Sequence, residues 1–273
     1  MHIPASLSSW TVAAAVIPLT LALAITAKAA DTSAIQDTEV RACIERAIPG
    51  HSLKQHLTVQ VIDSTDAVRE SSGVLYWKRG DDGLSKVFFR IEKSAQYQGV
   101  AVVMAEVPAG REPTINMYSP ELGRERRINS AALGGPLLGT DFSYEDFAQL
   151  QHVGTGGEVK RLADAEHEGH ATYELETSPD PEMSSYSRVQ TSLDKELCLP
   201  LLTQFFAHNG KLLKEMSIDR TAVQKAGDRW MPQRVTMLNH KQSSRTVLVV
   251  DSAEVDAAIA DSQFSMAILR QGR

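Results

Sequence analysis

After residue 30 the chain repeats first at a helical period and then at a period of two. Val40, Cys43, Ile44, Ala47 and Ile48 fall at i, i+3, i+4, i+7 and i+8, which is one apolar stripe on a helix. Ser33 and Gln36 have capping-box spacing ahead of it, and Pro49-Gly50 stops it. Beyond that point apolar and polar residues alternate. Val87, Phe89 and Ile91 alternate with Lys86, Arg90 and Glu92; Ala171, Tyr173 and Leu175 alternate with Thr172, Glu174 and Glu176. Val235 with Met237, and Val247 with Val249, continue the rhythm. These segments are strands, some half-buried and some buried on both faces.

Turn signals separate the strands at intervals of about ten residues, the spacing of an all-β sandwich or barrel. Arg79-Gly80-Asp81-Asp82-Gly83 and Ser119-Pro120-Glu121-Leu122-Gly123 are two of them. His208-Asn209-Gly210-Lys211 joins a strand over Cys198–Ala207 to one over Leu212–Ile218, and its Asn-Gly pair suits a tight hairpin. No βαβ rhythm is present. Residues 129–150 break the strand pattern, because Gly134-Gly135-Pro136 is not regular strand. Within them Ser143 is placed to cap a short helix carrying Phe147 and Leu150, with Glu145 and Asp146 in its first turn. Leu137, Leu138, Phe142, Tyr144 and Phe147 make this insert apolar, so it is expected to cover a sheet face.

Composition narrows the picture. The 273 residues carry 28 Lys and Arg against 34 Asp and Glu, a net charge of −6, which argues against a nucleic-acid partner. Met1 to Ala27 contains no Asp, Glu, Lys or Arg, and Ala27-Lys28-Ala29 is a small-x-small cleavage signal. Residues 1–29 therefore read as a secretory signal peptide and residues 30–273 as one exported domain. The n-region lacks its positive charge; an uncleaved anchor is the alternative, weakened by Pro18. Export allows a disulfide between Cys43 and Cys198. Cys43 also suits a helix face as a small apolar residue.

Candidate chemistry is sparse. His167-Glu168-Gly169-His170 puts three positions between its histidines, not the four of the helical zinc motif, and lies in a strand segment. No metal site follows from it. Gly154 to Lys160 lacks the ending of a phosphate loop, and there is no Gly-x-Ser-x-Gly elbow. Asp141, Glu145 and Asp146 are explained more simply by capping than by acid–base catalysis. No catalytic residue and no cofactor are assigned. Arg124, Arg126 and Arg127 form a basic patch suited to a lipid headgroup or an acidic partner, or to plain exposure beside Glu121 and Glu125.

One stretch carries a family resemblance. Tyr118-Ser119-Pro120, Arg126-Arg127-Ile128, Gly134-Gly135 and Gly139-Thr140-Asp141-Phe142-Ser143-Tyr144-Glu145-Asp146 resemble the LolA-like outer-membrane lipoprotein-sorting family, in its large and mostly uncharacterised bacterial subfamily. Leu199-Pro200, Asn209-Gly210-Lys211, Trp230-Met231-Pro232 and Phe264-Ser265 extend the resemblance over roughly residues 70–270. It implies a mainly β fold, an incomplete antiparallel β-barrel of about 10–11 strands. An N-terminal helix and the short helix/loop insert would cover its concave face. It also implies a carrier of lipoprotein or lipid acyl chains, encoded beside resistance-nodulation-division exporters and delivering to an outer-membrane acceptor. A non-carrier adaptor or chaperone of such an exporter is the alternative.

A carrier needs an apolar cavity. Phe89, Met104, Met117, Phe205, Trp230 and Met237 are candidates for its walls, with Phe88 and Val103 beside them. Leu137, Leu138, Phe142, Tyr144 and Phe147 are candidates for its cover. Alternation alone leaves open which of these line a hollow and which are closed core.

Overall fold

The computed structural model describes residues 37–271, apart from 49, 109–111, 152–156 and 228. The expected signal peptide and the expected Ser33–Gln36 capping box lie outside the described residues. Helix α1 (Thr38–Ala47) is capped by Asp37, whose carboxylate accepts from the backbone N–H groups of Glu39 and Val40. Val40 and Cys43 are its buried stripe.

Six strands follow as an antiparallel meander: β1 (Ser52–Ile62), β2 (Val68–Arg79), β3 (Ser85–Ser94), β4 (Ala101–Ala105), β5 (Thr114–Ser119) and β6 (Arg124–Ile128). Two short helices come next, α2 (Ser130–Leu133) and α3 (Tyr144–Leu150). The second half holds β7 (Glu158–Arg161), β8 (Ala165–His167), β9 (His170–Ser178), β10 (Arg188–Asp194), β11 (Pro200–Phe206) and β12 (Leu212–Ile218). It continues with β13 (Val223–Ala226), β14 (Arg229–Pro232), β15 (Arg234–Asn239), β16 (Ser244–Val255) and α4 (Met266–Arg270).

Fourteen strands form one open antiparallel sheet in the order β6-β5-β4-β3-β2-β1-β16-β15-β12-β11-β10-β9-β7, with β8 beside β9; β13 and β14 pair apart from it. The architecture is an incomplete barrel. The count exceeds ten or eleven because pieces as short as β7 and β8 have too few residues to show alternation. β1 and β16 pair at the centre, from Leu53 opposite Val255 to Ile62 opposite Arg245, and so join the two halves.

The edges, β6 and β7, are consecutive in the chain. The segment between them must pass from one edge to the other, and it does so across the inner face. There Leu133, Leu137, Phe142, Tyr144 and Phe147 share one core cluster with Leu57, Leu75, Trp77, Phe89 and Leu248. The insert covers the concave face as part of the core. On the outer face Phe88, Ala101, Val103 and Tyr118 pack under Leu269 of α4. Phe88 and Val103 thus point away from the hollow side, because one step along a strand reverses the face.

The strand expected from Cys198 starts at Pro200 instead. Cys198 is in the left-handed region (φ 58) and closes a turn in which the Asp194 carboxylate accepts from the N–H groups of Glu196 and Leu197. The structure joins Cys198 to Cys43 by a disulfide, with Cα atoms 5.1 Å apart, across a sequence separation of 155. So long a loop costs the unfolded chain much entropy when closed. We predict that Cys43→Ser with Cys198→Ser lowers stability by about 2–5 kcal/mol in urea titration; an unchanged midpoint and slope would contradict this.

Candidate functional site

The insert is built on its carboxylates. Ser143 caps α3: its hydroxyl accepts from the Asp146 N–H (3.0 Å), and the Asp146 carboxylate accepts from the Ser143 N–H (2.7 Å). The first-turn acids favour the helix dipole. Both Glu145 and Asp146 are also buried, and so is Asp141. Asp146 takes the Tyr186 hydroxyl at 2.7 Å and the Lys214 ammonium of β12 at 2.8 Å. Glu145 takes the Ser184 hydroxyl and both the N–H (3.2 Å) and the hydroxyl (3.0 Å) of Ser185. Asp141 takes the hydroxyls of Ser244 (2.6 Å) and Thr246 (2.7 Å) on β16. A buried carboxylate persists only when hydrogen-bonded or paired. These three are satisfied by the β9–β10 loop, β12 and β16, and so fix the insert to the wall.

Burial pushes the Glu145 carboxyl above the usual glutamate range, and its serine hydrogen bonds oppose that shift. Burial and the Asp146 charge push the Tyr186 phenol upward.

The insert's apolar side faces the first half of the sheet. Phe147 lies against Phe89 with ring centroids 5.8 Å apart, and the Trp77 indole N–H donates to the Gln151 carbonyl just beyond α3 (3.0 Å). Gly139 is left-handed (φ 69), and a Cβ there would come within 2.8 Å of the Tyr97 hydroxyl, so the tight turn demands glycine.

Two cavities of about 370 Å³ each flank α3, within the size range of small-ligand pockets. The first is lined by Leu53, Leu57, Trp77, Leu199, Phe205, Met216, Trp230 and Met231, with Gln149 and Leu150 from α3. The second is lined by Val59, Val61, Phe89, Ile91, Tyr97, Leu137, Leu138, Phe142 and Phe147. Ile44 and Ala47 of α1 also line the first cavity. α1 is held by the disulfide, by an Asp37–Arg161 ion pair and by Arg229. The Arg229 guanidinium donates to the carbonyls of Glu45 (3.1 Å), Arg46 (2.8 Å) and Ile48, the negative end of the helix.

Seven of the residues singled out in the sequence line a cavity: Phe205 and Trp230 the first, and Phe89, Leu137, Leu138, Phe142 and Phe147 the second. Four do not. Met104 and Met237 are wholly buried in closed core, and the Tyr144 hydroxyl reaches the Met117 sulfur (3.3 Å) away from both cavities. Arg124, Arg126 and Arg127 are exposed on β6, which pairs with β5 alone among the described strands. His167 and His170 face each other across a hairpin turned by Glu168 and Gly169. Among the described residues, no group of three or more His, Cys, Asp or Glu is placed to hold a metal, and no helix is long and apolar enough to cross a membrane.

Sequence reading missed the centre of the first cavity. Leu53, Gln55 and Leu57 alternate with Lys54, His56 and Thr58, a signal that was available. The contribution of α1 to the cavity had no signal in the residues themselves, since an apolar stripe does not name its partner; only the family resemblance implied it.

A family model described as an uncharacterised protein matches residues 83–271. No curated protein matches the chain. Solved structures that share the fold include three with TM-scores from 0.67 to 0.78. A DUF1329 family protein from Desulfovibrio piger is 18% identical over 85% of this chain and 96% of its own, with a TM-score of 0.78. An outer-membrane lipoprotein-sorting protein domain from Vibrio parahaemolyticus is 20% identical over 85% and 97%, with a TM-score of 0.76. A LolA superfamily protein from Nitrosomonas europaea is 17% identical over 84% and 97%, with a TM-score of 0.67.

The burial of the insert makes two predictions. Phe142→Ala removes a ring from the core and is expected to cost about 3–5 kcal/mol in chemical denaturation; a loss below 1 kcal/mol would mark Phe142 as a loose cover. The second concerns Glu145. A carboxyl whose pKa is raised on folding favours the folded state below its unfolded value, here near 4.5, and that advantage is lost as pH rises through the folded value. Glu145→Gln should therefore melt higher than wild type near neutral pH and lose the advantage as pH falls toward 4.5. A difference constant with pH would refute the assignment.

Proposed function

The chain belongs to the family of uncharacterised proteins whose model spans residues 83–271, and we propose, from the fold it shares with lipoprotein-sorting proteins, that it is a periplasmic carrier of lipoprotein or lipid acyl chains. The observation that carries the reading is the first cavity, an apolar hollow of about 370 Å³ between α1, α3 and the inner face of the sheet. Each methylene moved from water into such a hollow contributes about 0.8 kcal/mol, so a long chain binds without any catalytic group. The reading assigns no bond-making step to the protein. Residues 1–29 serve as the export signal, and the mature domain works between the two membranes.

A carrier must also hand on its load. We assign that contact to the β6 edge, where Arg124, Arg126 and Arg127 are exposed on a strand end suited to an acidic partner surface. The donor is an inner-membrane exporter of the resistance-nodulation-division type, and the acceptor lies at the outer membrane.

Mature protein purified without detergent is expected to release an acyl species at fixed stoichiometry in native mass spectrometry with lipid extraction. Thr191 lines the first cavity, and Thr191→Trp fills it. That variant should weaken binding of a fluorescent fatty acid at the first cavity by at least about tenfold, which corresponds to about 1.4 kcal/mol. A protein that emerges empty and binds no added lipid would overturn the carrier reading.

A further inference from the structure

We propose that the second cavity is a separate binding site for a single-chain amphiphile with an anionic head, its chain against Phe89, Phe142 and Phe147 and its head at Arg69. The proposal rests on the carrier reading for the first cavity and adds a second, independent site.

Separation comes first. Leu57 and Leu248 line both cavities, and the rest of the two linings differ. The partition between them is the insert, and its attachments reach both halves of the sheet. Asp141 is bonded to β16, Asp146 to β12 and Tyr186, and Gln151 to the Trp77 indole. A divider held by buried, charge-assisted bonds does not move aside without leaving carboxylates unpaired. Two chambers are therefore maintained on either side of the insert.

The rim gives the ligand class. In the β1–β2 register Arg69 stands opposite Val61, and Ser71 opposite Val59, so all four share the inner face. The depth of the second cavity is apolar and its mouth is polar. Arg69 reaches across the mouth to the insert, where its Nη2 donates to the Gly139 carbonyl at 3.3 Å. That is a long hydrogen bond, and a guanidinium carries five N–H donors in a fork that matches a carboxylate or phosphate. The hydroxyls of Ser71 and Ser94, 2.9 Å apart, and Tyr97 complete the rim. Glu70 also borders the second cavity, but its side chain alternates to the opposite face, where its carboxylate accepts from the Gln60 amide (2.9 Å). The cation lining the first cavity is differently engaged: Arg229 donates to the carbonyls of α1. An apolar pit with one cation, Arg69, at its mouth fits one chain and one negative head.

The test uses detergent-free mature protein, with palmitate, hexadecyl phosphate and neutral hexadecanol as probes in native mass spectrometry. Wild type is expected to bind one more palmitate than Val59→Trp, which fills the second cavity. Thr191→Trp, which fills the first, should keep the second palmitate. Arg69→Glu should weaken palmitate at the second site by about tenfold and leave hexadecanol unchanged. The tighter of palmitate and hexadecyl phosphate names the head. The proposal falls if Val59→Trp keeps wild-type stoichiometry, or if Arg69→Glu affects palmitate and hexadecanol alike. Binding of one ligand, lost in Thr191→Trp alone, would remove the second site and leave the carrier reading standing. No binding by wild type at all would remove both. Should Val59→Trp fail a thermal melt, the exposed Arg69→Glu carries the test by itself.

Discussion

The structure depends on one topological constraint. The sheet is begun and finished at its centre, where β1 pairs with β16, and its two edges are consecutive strands. Whatever joins β6 to β7 has to cross the sheet. The inner face is apolar, so a crossing segment is stable there only if it brings apolar side chains of its own. Leu133, Leu137, Phe142 and Phe147 meet that demand. Covering the concave face is thus a consequence of strand order and not an added device.

The second demand is polar. A segment of short helices and turns carries backbone and capping groups into the interior, where unpaired polar atoms are costly. Three carboxylates answer it. Asp146 closes the capping box of α3 and takes Tyr186 and Lys214; Asp141 and Glu145 take hydroxyls from β16 and the β9–β10 loop. The Gly139 to Asp146 run is in this light a fixing device: its three carboxylates have partners on the wall, while Thr140 and Ser143 bond within the insert. The insert fills the middle of the concave face and leaves a hollow on either side. A fully filled face would leave no room for an acyl chain, and an empty one would expose apolar surface to water.

Much of this was legible in the chain. Alternation gave β3, β9, β15 and β16, the apolar stripe gave α1, and Ser143 with its downstream acids gave α3. β7 and β8 are too short to alternate, and β1 was overlooked although its period is clear. Side-chain pattern also fails to separate hollow from filled: Phe89 borders a cavity while Met104, on the same face, is sealed. That difference depends on where the insert lands, a relation between residues far apart in sequence. The acids were legible as caps, but their burial was not, because Tyr186, Lys214 and Thr246 arrive from distant strands.

The most direct measurement is a crystal structure of the mature protein loaded with a saturated acyl chain. The account predicts chain density beside Trp77, Leu199 and Phe205, with α3 in place and Asp146 still bonded to Lys214 and Tyr186. Density occupying the position of α3, with those bonds broken, would show that the insert yields to the ligand and would contradict the fixed partition.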